Sequence, residues 1–458
     1  MEPQAPRVHG RAFASAAAAT FATNMVAAAL SLANVLITAR QLGPSGRGEL
    51  AFLTTVAMLT AALSSLGIEE AHGNMAATMP RARRALGGNS VAFALALGAL
   101  AACVVALLML LLPGVAAGSD PRLRIVALVA IPVLLVQLYL QFLVRADYGF
   151  AIANVATLAA VLLNFVANAL LALLGLITVQ TALVAWVAGQ LVGAAILAWY
   201  VRRRLAGFGR PDRALARDAF GFGLRAHGGR VMKTSNYRLD QWLLGSIAGT
   251  RELGLYSVAV AWAEALFYLP EALGMVMRPD VARASASEAG RRVAVVFRVA
   301  LLITIPVVVV LIVAAPILCV TVFGEEFRGS IDDLRVLAPG AFGITALKLF
   351  GNALTAQRRP MLANAAIAVA FGATIALDLL LIPRHGGLGA ALASTLAYTA
   401  GGIAVAAIFG RTLRVRGADF VPRLGDIRQL AASLRARGRA GPAAPSDEEL
   451  RSPPGFVD

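Results

Sequence analysis

The chain has 458 residues, 59% hydrophobic and only 14% charged, with a mean hydropathy of +0.75. That composition excludes a soluble multidomain enzyme and leaves room for about a dozen helical crossings of about 20 apolar residues each. The formal charge of +16 arises from 41 basic against 25 acidic residues, but the basic residues crowd into short loops between apolar runs, where they orient helices instead of binding nucleic acid.

Taken in chain order, the apolar runs predict twelve helices over roughly 12–39, 50–78, 86–112, 123–144, 150–175 and 179–203, then 218–248, 252–277, 293–323, 332–356, 361–383 and 387–410. Helices are required because lipid-exposed backbone must satisfy its own hydrogen bonds. Arg7 and Arg11 precede the first run as in a signal peptide, yet the run has no clean cleavage signal and reads as a retained anchor. The expected organisation is a terminus (1–11), a first lobe of six helices (12–203), a linker (204–217), a second lobe of six (218–410) and a basic, disordered tail (411–458). Residues 423–437 of that tail read as solvated, with a basic helix on anionic lipid as the second reading. The side shared by both termini carries 27 basic residues and the other side eight, which predicts cytoplasmic termini. Cys103 and Cys319 lie in apolar runs and form no disulfide framework or metal motif.

An internal repeat is visible. ELAFLTTVA from Glu49 resembles ELGLYSVAV from Glu252, and Ala153 and Asn154 match Ala363 and Asn364. Offsets of 203 and 210 residues suggest two duplicated six-helix halves, parallel because six is even, with a central cavity between them.

The seventh span holds most of the chemistry. Arg225, Arg230, Lys233 and Arg238 fall in one crossing with His227 and Asp240. Each midplane cation costs on the order of 2.5 to 3.5 kcal/mol, so these side chains must line water or meet anions. On a continuous helix the deeper three spread over roughly 140°, and Gly228 with Gly229 offers a bend. Candidate counter-charges and coupling groups are Asp240, Glu264, Glu271, Asp378, Glu69 and Glu70, and Lys348 is a further coupling or cavity candidate. Either the acids neutralise the cations and merely hold the bundle, or net positive charge remains to receive a phosphorylated headgroup. His72 and His385 read as interfacial polar residues. Asn164, Asn168, Gln190 and Asn352 read equally as packing amides or sugar ligands.

GPSGRGEL (Gly43–Leu50), NYRLDQWLLG (Asn236–Gly245) and ELGLYSVAVAWAE (Glu252–Glu264) resemble the polysaccharide-biosynthesis flippases, including O-antigen transporters, of the multidrug, oligosaccharidyl-lipid and polysaccharide exporter superfamily. The resemblance covers about residues 12–410. It implies a multi-pass protein of the bacterial inner membrane that moves a polyprenyl-pyrophosphate-linked glycan to the outer leaflet by alternating access. In that reading Arg225, Arg230, Lys233 and Arg238 bind the pyrophosphate. No cofactor is expected; coupling to sodium ions, protons or the membrane potential stays open. The expected partners are the lipid-linked glycan, membrane lipids and other envelope-glycan synthesis proteins, with the chain itself a monomer.

Three other readings compete. A multidrug exporter of the same superfamily would favour a carboxylate-dominated cavity. A transport-dead scaffold would work through its tail. An enzyme would need catalytic groups on a sizeable outer loop, and the sequence has no HExxH, GxSxG or complete Walker motif; Met232 interrupts the nearest P-loop approach.

Overall fold

The computed structural model describes residues 10–426 apart from 117, 206 and 424. All regular structure among them is helical. The first half contains α1 (Gly10–Ser64), α2 (Ile68–Thr78), α3 (Arg83–Leu111), α4 (Pro121–Ala146), α5 (Phe150–Leu173) and α6 (Val179–Arg204). The second contains α7 (Arg213–Ser235), α8 (Leu239–Ala248), α9 (Thr250–Ala265), α10 (Tyr268–Arg283), α11 (Ala286–Pro316), α12 (Ser330–Leu337), α13 (Gly340–Ala356) and α14 (Pro360–Leu413).

Among the described residues, eight helical stretches are long and apolar enough to cross a membrane, or nine if the bent pair α12 and α13 counts as one. Two of these, Ala18–Ser64 and Pro360–Leu413, hold 47 and 54 residues, more than twice what a crossing needs. Each contains a glycine with non-helical backbone, Gly43 (φ 65°, ψ 179°) and Gly386 (φ 55°, ψ −129°). Each is therefore two helices meeting at a turn, where the sequence separates spans. The segment α7 misses the apolar criterion because its charges interrupt it. The fold is all-α and polytopic as expected, while apolarity by itself does not fix the count at twelve. Leu107, Leu110, Val310 and Val313 lie exposed on α3 and α11, the faces left to acyl chains.

Four expected spans are broken. The second bends at Ser65–Gly67, the seventh at Asn236–Arg238, the eighth at Leu266–Phe267 and the tenth at Ala338–Pro339. This corrects the continuous seventh helix of the sequence reading: Gly228 and Gly229 stay inside α7, and the break comes after Ser235. Arg238 takes a non-helical backbone (φ −137°, ψ −16°), so the 140° face calculated for three cations on one helix does not exist.

The duplication is legible in the backbone. Left-handed positions recur in pairs: Gly43 with Gly249, Gly118 with Gly324, Tyr148 with Arg358, Gly175 with Gly386 and Gly207 with Arg414, spaced 206 to 211 residues apart. Leu66 and Gly67, at the break of the second span, have no counterpart. The pairing of Asn154 with Asn364 keeps this register, whereas Glu49 with Glu252 is three residues out of it. The halves meet where α1 crosses α9. A Cβ on Gly48 would lie 1.7 Å from the Thr250 carbonyl oxygen, and one on Gly254 would lie 1.8 Å from that of Pro44. Backbone touches backbone there, reciprocally.

The described start of the expected tail is ordered, which corrects the boundary at 411. Phe420 packs on Phe350 and Phe297, with ring centroids 5.0 and 6.1 Å away. Arg298 of α11 donates to both carboxylate oxygens of Asp426, at 2.7 and 2.8 Å. Residues 427–458, with most of the segment expected as a basic helix, lie outside the described residues.

Candidate functional site

The breaks in the seventh and eighth spans line a cavity of about 1020 Å³, which α2 borders through Glu70. Five basic side chains line it: Arg230, Lys233, Arg238, Arg278 and Lys348. Three carboxylates oppose them, Glu70, Glu264 and Glu271, and Glu69 stands fully buried behind the wall.

Three of the cations are paired. Arg230 Nε lies 3.0 Å from Glu69 Oε1 and its Nη2 2.9 Å from Glu70 Oε1, which ties α7 to α2 across the two halves; its guanidinium also stands 5.2 Å from the centre of the Phe142 ring. Arg238 Nη1 meets Glu264 Oε1 at 2.8 Å. Lys348 Nζ lies 2.9 Å from Glu271 Oε2 and donates to the Phe267 carbonyl at 3.0 Å, over the Phe267 ring. Lys233 and Arg278 form no ion pair or hydrogen bond among the described residues, and both are exposed to the cavity. Even with Glu69 counted, the site keeps one more positive than negative charge. Arg225 is exposed but does not line the cavity.

Arg278 was missed because the sequence reading ended the eighth span at 277. It follows Glu271 by seven residues, about two turns, which puts both on one face of α10.

Asp240 and Asp378 lie outside the cavity wall, buried in the second half. Tyr256 and Ser394 donate hydroxyls to Asp240 Oδ2 at 2.6 and 3.2 Å, and the Gln241 amide donates to Oδ1 at 2.7 Å. Among the described residues Asp378 has no hydrogen-bond partner on either oxygen, and it lies within electrostatic reach of Asp240. Beside them Thr374 donates to Asn236 Oδ1 at 2.7 Å. The backbone register carries this cluster onto the first half: Asn34 stands for Asp240, Asn164 for Thr374 and Asn168 for Asp378. There Asn168 Nδ2 donates to Asn34 Oδ1 at 2.8 Å and to Asn164 Oδ1 at 3.0 Å. One half thus holds two carboxylates where the other holds amides. Among the described residues no group of three or more His, Cys, Asp or Glu side chains forms a metal cage.

His72 is fully buried, with Nδ1 2.8 Å from Ser90 Oγ. A second cavity of about 480 Å³ reaches Arg47, just past the turn at Gly43, and includes Asn34, Asn164, Asn168 and Gln190. Met58, Arg238, Glu264 and Tyr268 line both cavities, so the Arg238–Glu264 pair belongs to the wall between them. Asn352 lines the larger cavity.

Solved structures share this architecture at low identity. A lipid II flippase MurJ in an inward closed conformation superposes with a TM-score of 0.70 at 13% identity, covering 93% of each chain. The MATE multidrug transporter DinF-BH gives 0.63 at 16%, covering 90% of this chain and 99% of its own. An inward-facing multidrug resistance MATE transporter of the MOP superfamily gives 0.62 at 14%, covering 89% and 95%. At such identities the likeness establishes the two-lobed transporter fold. No curated protein sequence matches the chain. The family described as "Polysaccharide biosynthesis protein" matches residues 37–332, a stretch that runs through both halves and includes the glycine crossing and most of the cationic cavity. The match covers more than half of the chain, and the chain belongs to the polysaccharide biosynthesis protein family.

Proposed function

We propose that the protein is a flippase for a polyprenyl-pyrophosphate-linked glycan, working by alternating access in a bacterial cytoplasmic membrane with both termini cytoplasmic. The observation that carries this reading is the unneutralised charge of the large cavity, where Lys233 and Arg278 have no carboxylate partner among the described residues. A pyrophosphate needs such donors, because charge-assisted hydrogen bonds to phosphoryl oxygens are roughly twice as strong as neutral ones. Arg230 and Lys348, each already paired, can exchange a carboxylate for a phosphoryl oxygen as the cargo arrives. The prenyl chain stays in the bilayer while the headgroup enters between the halves.

Coupling is proposed at Asp240 and Asp378. Two buried carboxylates without a basic partner on Asp378 carry a desolvation cost of several kcal/mol per ion. A proton or a sodium ion offsets that cost, which supports uptake of one or the other during the cycle. The multidrug reading is weaker here, since organic cations would meet a wall with excess positive charge.

The test is transport in proteoliposomes. Lys233→Gln combined with Arg278→Gln should lower translocation of a lipid-linked glycan at least about tenfold while membrane insertion is unchanged. Full activity in that variant, or efflux of cationic dyes by the wild type without glycan translocation, would overturn the proposal. Asp378→Asn should make translocation insensitive to an imposed sodium or proton gradient.

A further inference from the structure

The smaller cavity holds a cation that the fold does not require. Arg47 lines it, has its Nε buried without a hydrogen-bond partner and forms no ion pair among the described residues. The helix that bears it restarts at Pro44 after the turn at Gly43. In the register of the glycine pair Gly48 and Gly254, the matching residue of the other half is Leu253, fully buried and apolar. An arginine at Arg47 therefore departs from the internal symmetry, at the desolvation cost of an unpaired guanidinium.

A second unsatisfied group shares the cavity. Asn168 uses its amide donors on Asn34 and Asn164 and leaves its Oδ1 buried without a partner. Buried polar groups are almost always hydrogen-bonded; this orphan donor and this orphan acceptor belong to two residues that line one space of about 480 Å³, and together they call for a ligand with both functions. Trp186 supplies an aromatic face on the same wall and Gln190 a further amide. The charges lining this cavity are Arg47, Arg238 and Glu264, and the last two pair with each other at 2.8 Å. One positive charge is left over.

We propose that this cavity receives a sugar of the glycan that bears a single carboxylate, with Arg47 as the residue that reads the acid and Asn168 accepting from a ring hydroxyl. The proposal rests on the flippase reading and narrows its cargo to acidic glycans. A guanidinium fork matches a carboxylate in bidentate geometry, whereas a phosphate, with more charge, is better met by the larger cavity.

The test uses the detergent-purified full chain and two probes: a glucuronic-acid-containing disaccharide, and the same disaccharide with its carboxyl reduced to an alcohol. Calorimetry should show the acidic disaccharide binding about tenfold more tightly than the reduced one, in keeping with a charged hydrogen bond. Arg47→Gln should erase that preference and Arg47→Lys should keep part of it. Equal binding of the two sugars by the wild type, absence of binding by either, or a preference that survives in Arg47→Gln overturns the proposal. Geranyl pyrophosphate is the control for the larger cavity. If it binds the wild type and fails with Lys233→Gln plus Arg278→Gln, the flippase reading stands whatever the sugars do; if it never binds, that reading falls first. Its binding to Arg47→Gln also certifies that this variant is folded.

Discussion

Arg230 and Lys233 are neighbours on α7 with opposite consequences when altered. Arg230 compensates Glu69, a carboxylate with no solvent exposure, so Arg230→Met leaves a buried charge alone and should destabilise the protein by about 3 to 5 kcal/mol. A thermal melt in detergent would read this, and Arg230→Met with Glu69→Gln should recover most of the loss. Lys233→Gln should leave the melt unchanged, because its ammonium faces the cavity unpaired. The sequence made the cations conspicuous, since charge inside an apolar run is visible without coordinates. It did not reveal which were neutralised: Glu70 lies 160 residues from Arg230, with Glu69 beside it, and only the packing of α7 on α2 brings them together. Asp240 and Asp378 were noted singly. Their relation to Asn34 and Asn168 needed the backbone register, which the match at Glu49 and Glu252 had placed one turn off.

At the scale of elements, the apolar runs located the helices well and the breaks poorly. A break such as Asn236–Arg238 costs backbone hydrogen bonds that the surrounding cavity and neighbouring side chains replace, and hydropathy carries no record of it. The glycine crossing makes a sharp prediction. Gly48→Ala places a methyl 1.7 Å from the Thr250 carbonyl oxygen, inside any van der Waals contact, so the two halves must separate there; size-exclusion chromatography should show loss of the monodisperse folded species, and Gly254→Ala should behave alike. The clasp at the start of the tail is legible only in the structure. The Arg298 guanidinium hydrogen-bonds the Asp426 carboxylate and holds it below its ordinary value. A carboxyl whose folded value is depressed stabilises above its unfolded value of about 3.9 and loses that contribution as the pH falls through the lower folded value. The clasp should thus be complete at neutral pH and open only in strong acid. Asp426→Asn should open it at pH 7, read as faster hydrogen exchange in α11.

For the molecule as a whole, two cavities, each lined by both halves, with a shared wall at Arg238 and Glu264 suit alternating access, in which only one side is open at a time. In a Cys103→Ser background, Lys233→Cys should react with a membrane-impermeant maleimide from the side of the termini, and Arg47→Cys from the other side, with each pattern shifted by cargo. Simultaneous labelling of Lys233→Cys from both sides would contradict a closed wall. The two-lobed fold was legible because duplication leaves an even span count and a recurring sequence spacing. The wall was not, since it depends on where broken helices come to face each other.

The contact of bare backbone at Gly48 and Gly254 has a mechanical corollary. A joint made of interlocked side chains must be unpicked before it can turn, and every cycle would climb that barrier. Two bare rods pressed together there act as a fulcrum instead, flanked by a core that Phe52 and Leu53 share with Leu244 and Leu253 of the other half. Residues far from that point, where the lever arms are longest, then travel furthest, and the main resistance to motion falls on the ion pairs bridging the halves near the mouth of the large cavity.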